Sequence, residues 1–198
     1  LIIIGGHEDK KDERGILKEV VKLVDKGNGK LVLITTATHE PEAVAAEYRR
    51  VFRALGLHKL EVLNLRSREE AQEEANVKKF EGAQGVFFTG GDQLRITSQL
   101  GGSAVCTAMR GVYEQGGVIV GTSAGAAAMP DTMLISGGDD ESPGPCNLGM
   151  AAGLGLLAGV TIDSHFAQRG RIGRLLAAVA QNPVNLGLGI DENTAEIG

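Results

Sequence analysis

Much of what would narrow a function is scarce in this chain. Only two of its 198 residues are cysteine, Cys106 and Cys146. That is too few for a disulfide framework, and Cys106 falls in a helical pattern where it reads as a small core residue. No apolar run is long enough to cross a bilayer. Basic residues are not in excess: 20 Lys and Arg against 25 Asp and Glu leave a formal charge of −5. A nucleic-acid partner or a membrane surface is therefore not expected. No repeat, low-complexity tract or long linker divides the chain. What remains is 42% hydrophobic, too apolar for disorder, and of a length that suits one catalytic domain over residues 1–198. The chain opens on Leu1 inside an apolar run, so its N-terminal end reads as incomplete. A cytoplasmic setting is expected, with secretion left open.

Short β-branched runs alternate with amphipathic ones. Residues 1–4, 31–34, 60–65, 85–89, 118–122, 160–163 and 186–190 read as strands, buried as in a parallel sheet. Helical spacing covers 12–26, 41–55, 68–80, 93–100, 103–115 and 171–181. Gly27 suits a helix end, Pro41 a first turn, and Ser67 with Glu70 a capping box. Residues 137–149, rich in Gly, Pro, Asp and Ser, read as a loop. This alternation predicts an α/β fold, a mostly parallel sheet with helices on both faces. Sites in such sheets form at the carboxyl ends of strands. The polar clusters at 91–93, 122–123, 163–165 and 191–192 each follow an apolar run and are expected to converge on one rim.

The stretch Gly121-Thr122-Ser123-Ala124-Gly125 follows the strand 118–122 and contains only small residues. A serine exposed on a sharp strand-to-helix turn requires such neighbours. By itself the pattern fits a phosphate-binding or tightly packed turn equally well. As a nucleophile, Ser123 has the Ala124 amide as an oxyanion donor, and a second in the turn Gly90-Gly91-Asp92. A base must come from four histidines. His58 starts a strand; His7 and His39 follow strands. His165 follows a strand among Asp163, Gln168, Arg169 and Arg171, and is the best candidate. Glu192 or Asp191, after the last strand, completes the set. The order Ser, His, acid differs from the Ser, acid, His order of α/β-hydrolases. Arg169, Arg171 and Arg174 lie close behind the base, and the last two share a helix face. They read either as a pocket for an acidic substrate or as a solvated face with internal salt bridges. Asp163 and Gln93 are candidates to face a cationic or amide group of the same substrate.

The segments Phe88-Thr89-Gly90-Gly91-Asp92-Gln93, Gly121-Thr122-Ser123-Ala124-Gly125-Ala126, Asp163-Ser164-His165-Phe166-Ala167-Gln168-Arg169-Gly170-Arg171 and Gly189-Ile190-Asp191-Glu192-Asn193-Thr194-Ala195 resemble cyanophycinases. These are serine peptidases of the broad family that includes the aspartyl dipeptidase peptidase E. The resemblance implies a flavodoxin-like sheet similar to class I glutamine amidotransferase domains, usually as a homodimer. It implies Ser123 as nucleophile, His165 as base and Glu192 as acid, with no metal or cofactor. Gln93, Asp163, Ser164, Arg169, Arg171 and Arg174 would form the substrate pocket. The implied substrate is cyanophycin, a poly-aspartate chain with arginine on each side-chain carboxylate, and the implied product is the β-Asp-Arg dipeptide. Two rivals are a dipeptidase for short Asp-X peptides and a non-catalytic flavodoxin-like binding module.

Overall fold

In the computed structural model, residues 1–24, 29–136 and 148–198 are described. The expected helix end at Gly27, Cys146 and most of the loop read over 137–149 lie outside them. In chain order the elements are β1 (Ile2–Ile4), α1 (Gly15–Val24), β2 (Lys30–Ile34), α2 (Pro41–Ala54), β3 (Lys59–Leu63), α3 (Glu74–Val77), β4 (Gly85–Phe88), α4 (Gln93–Leu100), α5 (Ala104–Glu114) and β5 (Val118–Thr122). They continue with α6 (Ala124–Ala127), β6 (Thr132–Ser136), β7 (Gly149–Ala152), β8 (Val160–Ser164), α7 (Ile172–Gln181), β9 (Leu186–Ile190) and β10 (Ala195–Ile197).

The main sheet runs β10-β1-β5-β4-β2-β3. Its first five strands in sequence are parallel, and β10 closes the β1 edge antiparallel. β8 and β9 form a separate parallel pair, and β6 and β7 an antiparallel pair. Alternation along each strand divides the apolar side chains between two layers. Ile3, Val32, Ile34, Val86, Phe88 and Ile119 pack on one face with residues of α4 and α5. Ile2, Ile4, Leu31, Leu33, Phe87 and Val120 pack on the other with α1 and α2. In this second layer Tyr48, Phe52 and Phe87 form a buried aromatic group with ring centroids 5.0–5.9 Å apart. The expected α/β architecture is thus the observed one.

Two local expectations fail. Residues 68–80 are not one helix: they form a 3₁₀ turn at Glu70–Gln72, the single-turn α3, and a second 3₁₀ turn at Lys78–Phe80. Glu73 between them is extended, at φ −69° and ψ 129°. A continuous helix would stack Glu69 on Glu73 and Glu70 on Glu74, and like charges at that spacing oppose it. The Asn76 side chain also donates to the Glu70 carbonyl, taking the acceptor that a helix would use. The Glu70 carboxylate accepts from the Arg66 amide at 2.8 Å, not from that of Ser67, so the capping box is only half built. Second, β10 lies in a polar, mixed stretch with no periodic signal, and exists because β1 has a free edge for it to pair with.

Phe87 is fully buried between β4 and α2. Phe87→Ala should cost about 3–5 kcal/mol, lowering the thermal midpoint by roughly 6–20 °C for a chain of this size; a shift under 2 °C would contradict this packing.

Candidate active site

The carboxyl ends of the parallel strands form one rim. There Ile4-Gly5-Gly6, leaving β1, offers three successive carbonyls to three distant segments. Ile4 accepts from the Ser123 amide at 3.0 Å, Gly5 from the His165 amide at 2.8 Å, and Gly6 from the Asn193 amide at 2.8 Å. The Gly5 amide donates to the Thr194 carbonyl at 3.0 Å. Only glycine fits here. A Cβ on Gly5 would lie 2.0 Å from the Asp191 carbonyl oxygen, and one on Gly6 would lie 2.3 Å from the His165 ring.

Ser123 itself sits at φ +54° and ψ −114°, a strained conformation for a residue with a side chain. Small neighbours permit it. A Cβ on Gly121 would meet the Gly125 carbonyl at 2.5 Å, and one on Gly125 would meet that of Phe88 at 2.5 Å. His165 also has positive φ, at +49°. These turns bring three side chains into line: Ser123 Oγ lies 2.7 Å from His165 Nε2, and His165 Nδ1 lies 2.7 Å from Glu192 Oε1. An ionised carboxylate only accepts, so Nδ1 carries the proton and Nε2 is left as acceptor for the serine hydroxyl. Burial of the imidazole lowers the His165 pKa, and the charge of Arg169 adds to this, against the opposing hydrogen bond that His165 donates to Glu192. The hydrogen bond to His165 lowers the Glu192 pKa in turn.

His7 braces this line from outside. Its Nδ1 lies 3.1 Å from Glu192 Oε2, and its ring meets that of His165 edge-on at 5.1 Å. The loop carrying it is tied down by Asp9, whose carboxylate accepts from the Lys11, Asp12 and Arg14 amides and has its pKa lowered to about 2 by those bonds. Beside Ser123 opens a cavity of about 330 Å³ lined by His7, Lys10, Glu47, Tyr48, Gly91 and Arg169, among others. Its wall includes Glu8, which the sequence reading passed over. Glu8 is buried, bonded to the Tyr48 hydroxyl and, at 2.6 Å, to that of Thr122. Its acidic neighbour Asp9 and its position after Gly5-Gly6 were the available signals: charge following a buried strand at the rim.

The other expected site residues separate into two groups. Ala124 follows Ser123, Gly90 lies against its side chain, and Gly91 lines the same cavity; the Gly91 amide has no partner among the described residues. The Asp92 amide, by contrast, donates to the Ala37 carbonyl at 3.0 Å, and its carboxylate caps α4. It is therefore not available as an oxyanion donor. Arg169 is exposed at the cavity mouth. Gln93, Asp163, Ser164, Arg171 and Arg174 do not line this cavity. Asp163, 1% exposed, engages Arg174 Nε at 2.7 Å and Arg171 Nη1 at 3.3 Å. Arg171 also donates to the Ser164 carbonyl, and Gln93 to that of Leu134. The expectation that Asp163 faces a cationic substrate group is corrected. A buried carboxylate must be paired, and the arginines that pair it stand at the start of α7.

The family model of peptidase family S51 matches residues 1–196. The chain belongs to peptidase family S51. Its relatives include the cyanophycinase of Nostoc sp. (strain PCC 7120 / SAG 25.82 / UTEX 2576), 39% identical over 198 residues, which cover 100% of this chain and 66% of that one. The cyanophycinase of Geminocystis herdmanii (strain PCC 6308) is 35% identical over 198 residues, 100% of this chain and 73% of that one. The chain thus spans just under two thirds of the first of these relatives. Among solved structures, a peptidase from an acI-B1 Actinobacterium shares the fold with a TM-score of 0.77 at 20% identity, covering 98% of this chain and 80% of that one. A putative peptidase E protein from Listeria monocytogenes EGD-e does so with a TM-score of 0.65 at 17% identity, covering 98% and 91%.

Two outcomes are expected at this S51 site. His165 should titrate below about 6.5, the value of a free imidazole, when followed by NMR. Replacing Arg169 by Ala should move the midpoint up, since a nearby positive charge disfavours the protonated ring; a midpoint above that of a free imidazole would contradict the burial described. Gly5→Ala should remove the Ser123–His165 contact, seen as loss of labelling by a serine-directed fluorophosphonate.

Proposed function

We propose that the protein is a serine-type exopeptidase that hydrolyses cyanophycin to β-Asp-Arg dipeptides through an acyl-enzyme on Ser123. The observation that carries this reading is the line Ser123–His165–Glu192, with both spacings at 2.7 Å, in a chain of family S51 whose curated relatives are cyanophycinases. His165 Nε2 takes the hydroxyl proton as Ser123 Oγ attacks the scissile carbonyl. The oxyanion rests on the Ala124 and Gly91 amides. Protonated at both nitrogens, His165 then gives its Nε2 proton to the leaving amine. Water, deprotonated by the same nitrogen, releases the acyl group. Glu192 fixes the imidazole tautomer and stabilises the imidazolium, and His7 holds its second oxygen.

Arg169 at the mouth supplies a cation for substrate carboxylates, and Lys10 and Glu47, paired with each other at 3.6 Å, stand as further charges in the cavity wall. The Asp163–Arg171–Arg174 cluster is proposed to hold β8 and α7 rigid behind His165. Asp163 itself is enclosed and has no part in contacting substrate. Exposed Ile172, Leu176, Val184 and Leu186 on and beside α7 give an apolar face for the homodimer included in this reading. No helix among the described residues is long and apolar enough to cross a membrane, and a cytoplasmic setting is part of the proposal.

Ser123→Ala should lose at least about 10³-fold in kcat, and Glu192→Gln on the order of 10³–10⁴-fold. Turnover near wild type in either variant would remove the proposed roles. Incubation with insoluble cyanophycin should release β-Asp-Arg, identified by mass. Cleavage of Asp-X dipeptides with no soluble product from the polymer would favour the dipeptidase instead.

A further inference from the structure

Away from Ser123, a cavity of about 540 Å³ opens between the first turns of α2 and the segment that follows β3. It lies on the same rim: Thr35 leaves the carboxyl end of β2, and Asn64 that of β3. Two of its lining residues carry a polar atom buried without a hydrogen-bond partner, Thr35 Oγ1 and Asn64 Oδ1. Unpaired buried polar atoms cost free energy comparable to a lost hydrogen bond and call for a partner that the protein does not supply. Asn64 Oδ1 can only accept, so the partner must bring an N–H or O–H donor. Around these atoms stand Arg49, Arg66 and Lys79, with Glu42 and Glu70. The Glu70 carboxylate is engaged by the Arg66 amide, and the Lys79 ammonium by the Val62 carbonyl. The two guanidinium groups have no ion-pair partner among the described residues. Arg49 also borders a shallower groove along α2 that presents Arg50 and Arg53. In a chain of net charge −5, this is a local concentration of cations around buried, unmet acceptors.

We propose that this cavity is a second binding site for an amino-acid residue carrying both a free carboxylate and a guanidinium group. The carboxylate meets Arg49 and Arg66, which match it bidentately, and the guanidinium donates to Asn64 Oδ1 and Thr35 Oγ1 beside Glu42. An arginine linked through its amine has this chemistry. The link to the polymer rests on the function proposed above: each arginine of cyanophycin is such a group. Strands β5, β4, β2 and β3 are neighbours spaced about 4.8 Å, so the cavity lies roughly 10–15 Å along the rim from Ser123. An extended backbone covers that span in about three to five residues at ~3.3–3.6 Å each. A polymer cut at Ser123 is thereby held by an arginine several units further along, and a dipeptide is not.

The test uses free L-arginine as probe and the full chain as protein, so that it does not require hydrolysis. In NMR titrations, L-arginine should shift the amides of Thr35, Asn64 and Asn76 saturably. L-norvaline, which lacks the guanidinium, and agmatine, which lacks the carboxylate, should bind at least about tenfold more weakly. Arg66→Ala and Asn64→Leu should each weaken L-arginine at least about fivefold while leaving the His165 resonances unchanged. The same variants should raise KM for cyanophycin several-fold with kcat intact, and leave the cleavage of a two-unit fragment unaltered. Absence of saturable shifts at these amides, or equal binding by the variants, overturns the site. So does shifting confined to residues around Ser123. L-arginine binding here by a protein that leaves cyanophycin intact would uphold the site and sink the function proposed above.

Discussion

Three consecutive carbonyl groups, those of Ile4, Gly5 and Gly6, are the constraint on which the remainder of the rim depends. Each holds the amide of a segment that carries one member of the Ser123–His165–Glu192 line. The sheet places β1 between β5 and β10, so its exit loop touches the elbow after β5, the turn after β8 and the turn leading into β10 at once. The contacts are backbone to backbone, and their accuracy does not depend on flexible side chains. The cost is paid in sequence freedom: glycine at two successive positions, and positive φ at Ser123 and His165, which ordinary packing would not tolerate.

Charge in this rim is sorted by burial. Glu192 lies beside two imidazoles and is partly open to solvent. Glu8 is enclosed, and both its oxygens are occupied by hydroxyls of Tyr48 and Thr122. It joins α2 to the residue before Ser123 and so sets the wall of the cavity. Asp163 is enclosed too, but answered by two guanidinium groups. These three carboxylates show why position near the end of a strand does not reveal a role. The partner that each finds decides it.

How much was legible follows from what each signal measures. Periodicity reports burial, and burial defines β1, β2, β4, β5 and the helices α2, α4, α5 and α7 almost to the residue. It fails over 68–80, where the apolar spacing is helical but repeating glutamates and the Asn76 side chain break the backbone. It has nothing to say of β10, whose only cause is an unpaired edge formed nearly two hundred residues earlier. Within the site, the meeting of Ser123, His165 and Glu192 was readable because each follows a buried strand, and a parallel sheet brings such ends to one rim. The pairing of Asp163 with Arg171 and Arg174 was not readable. Opposite charges close in sequence are compatible with facing a ligand or each other, and only the depth of Asp163 in β8 separates the two. Glu8 escaped notice because its partners, Tyr48 and Thr122, come from elements 40 and 114 residues away.

The loop at Ile4–Gly6 also dictates the order in which the site comes into being. Its bonds reach across the chain to residues 123, 165, 193 and 194, so they close long loops and form only after those segments are present. Until those segments have been made and the rim has closed, Ser123 has neither His165 nor Glu192 in place beside it. The geometry around Ser123 is thus a property of the assembled rim and of no local piece of it.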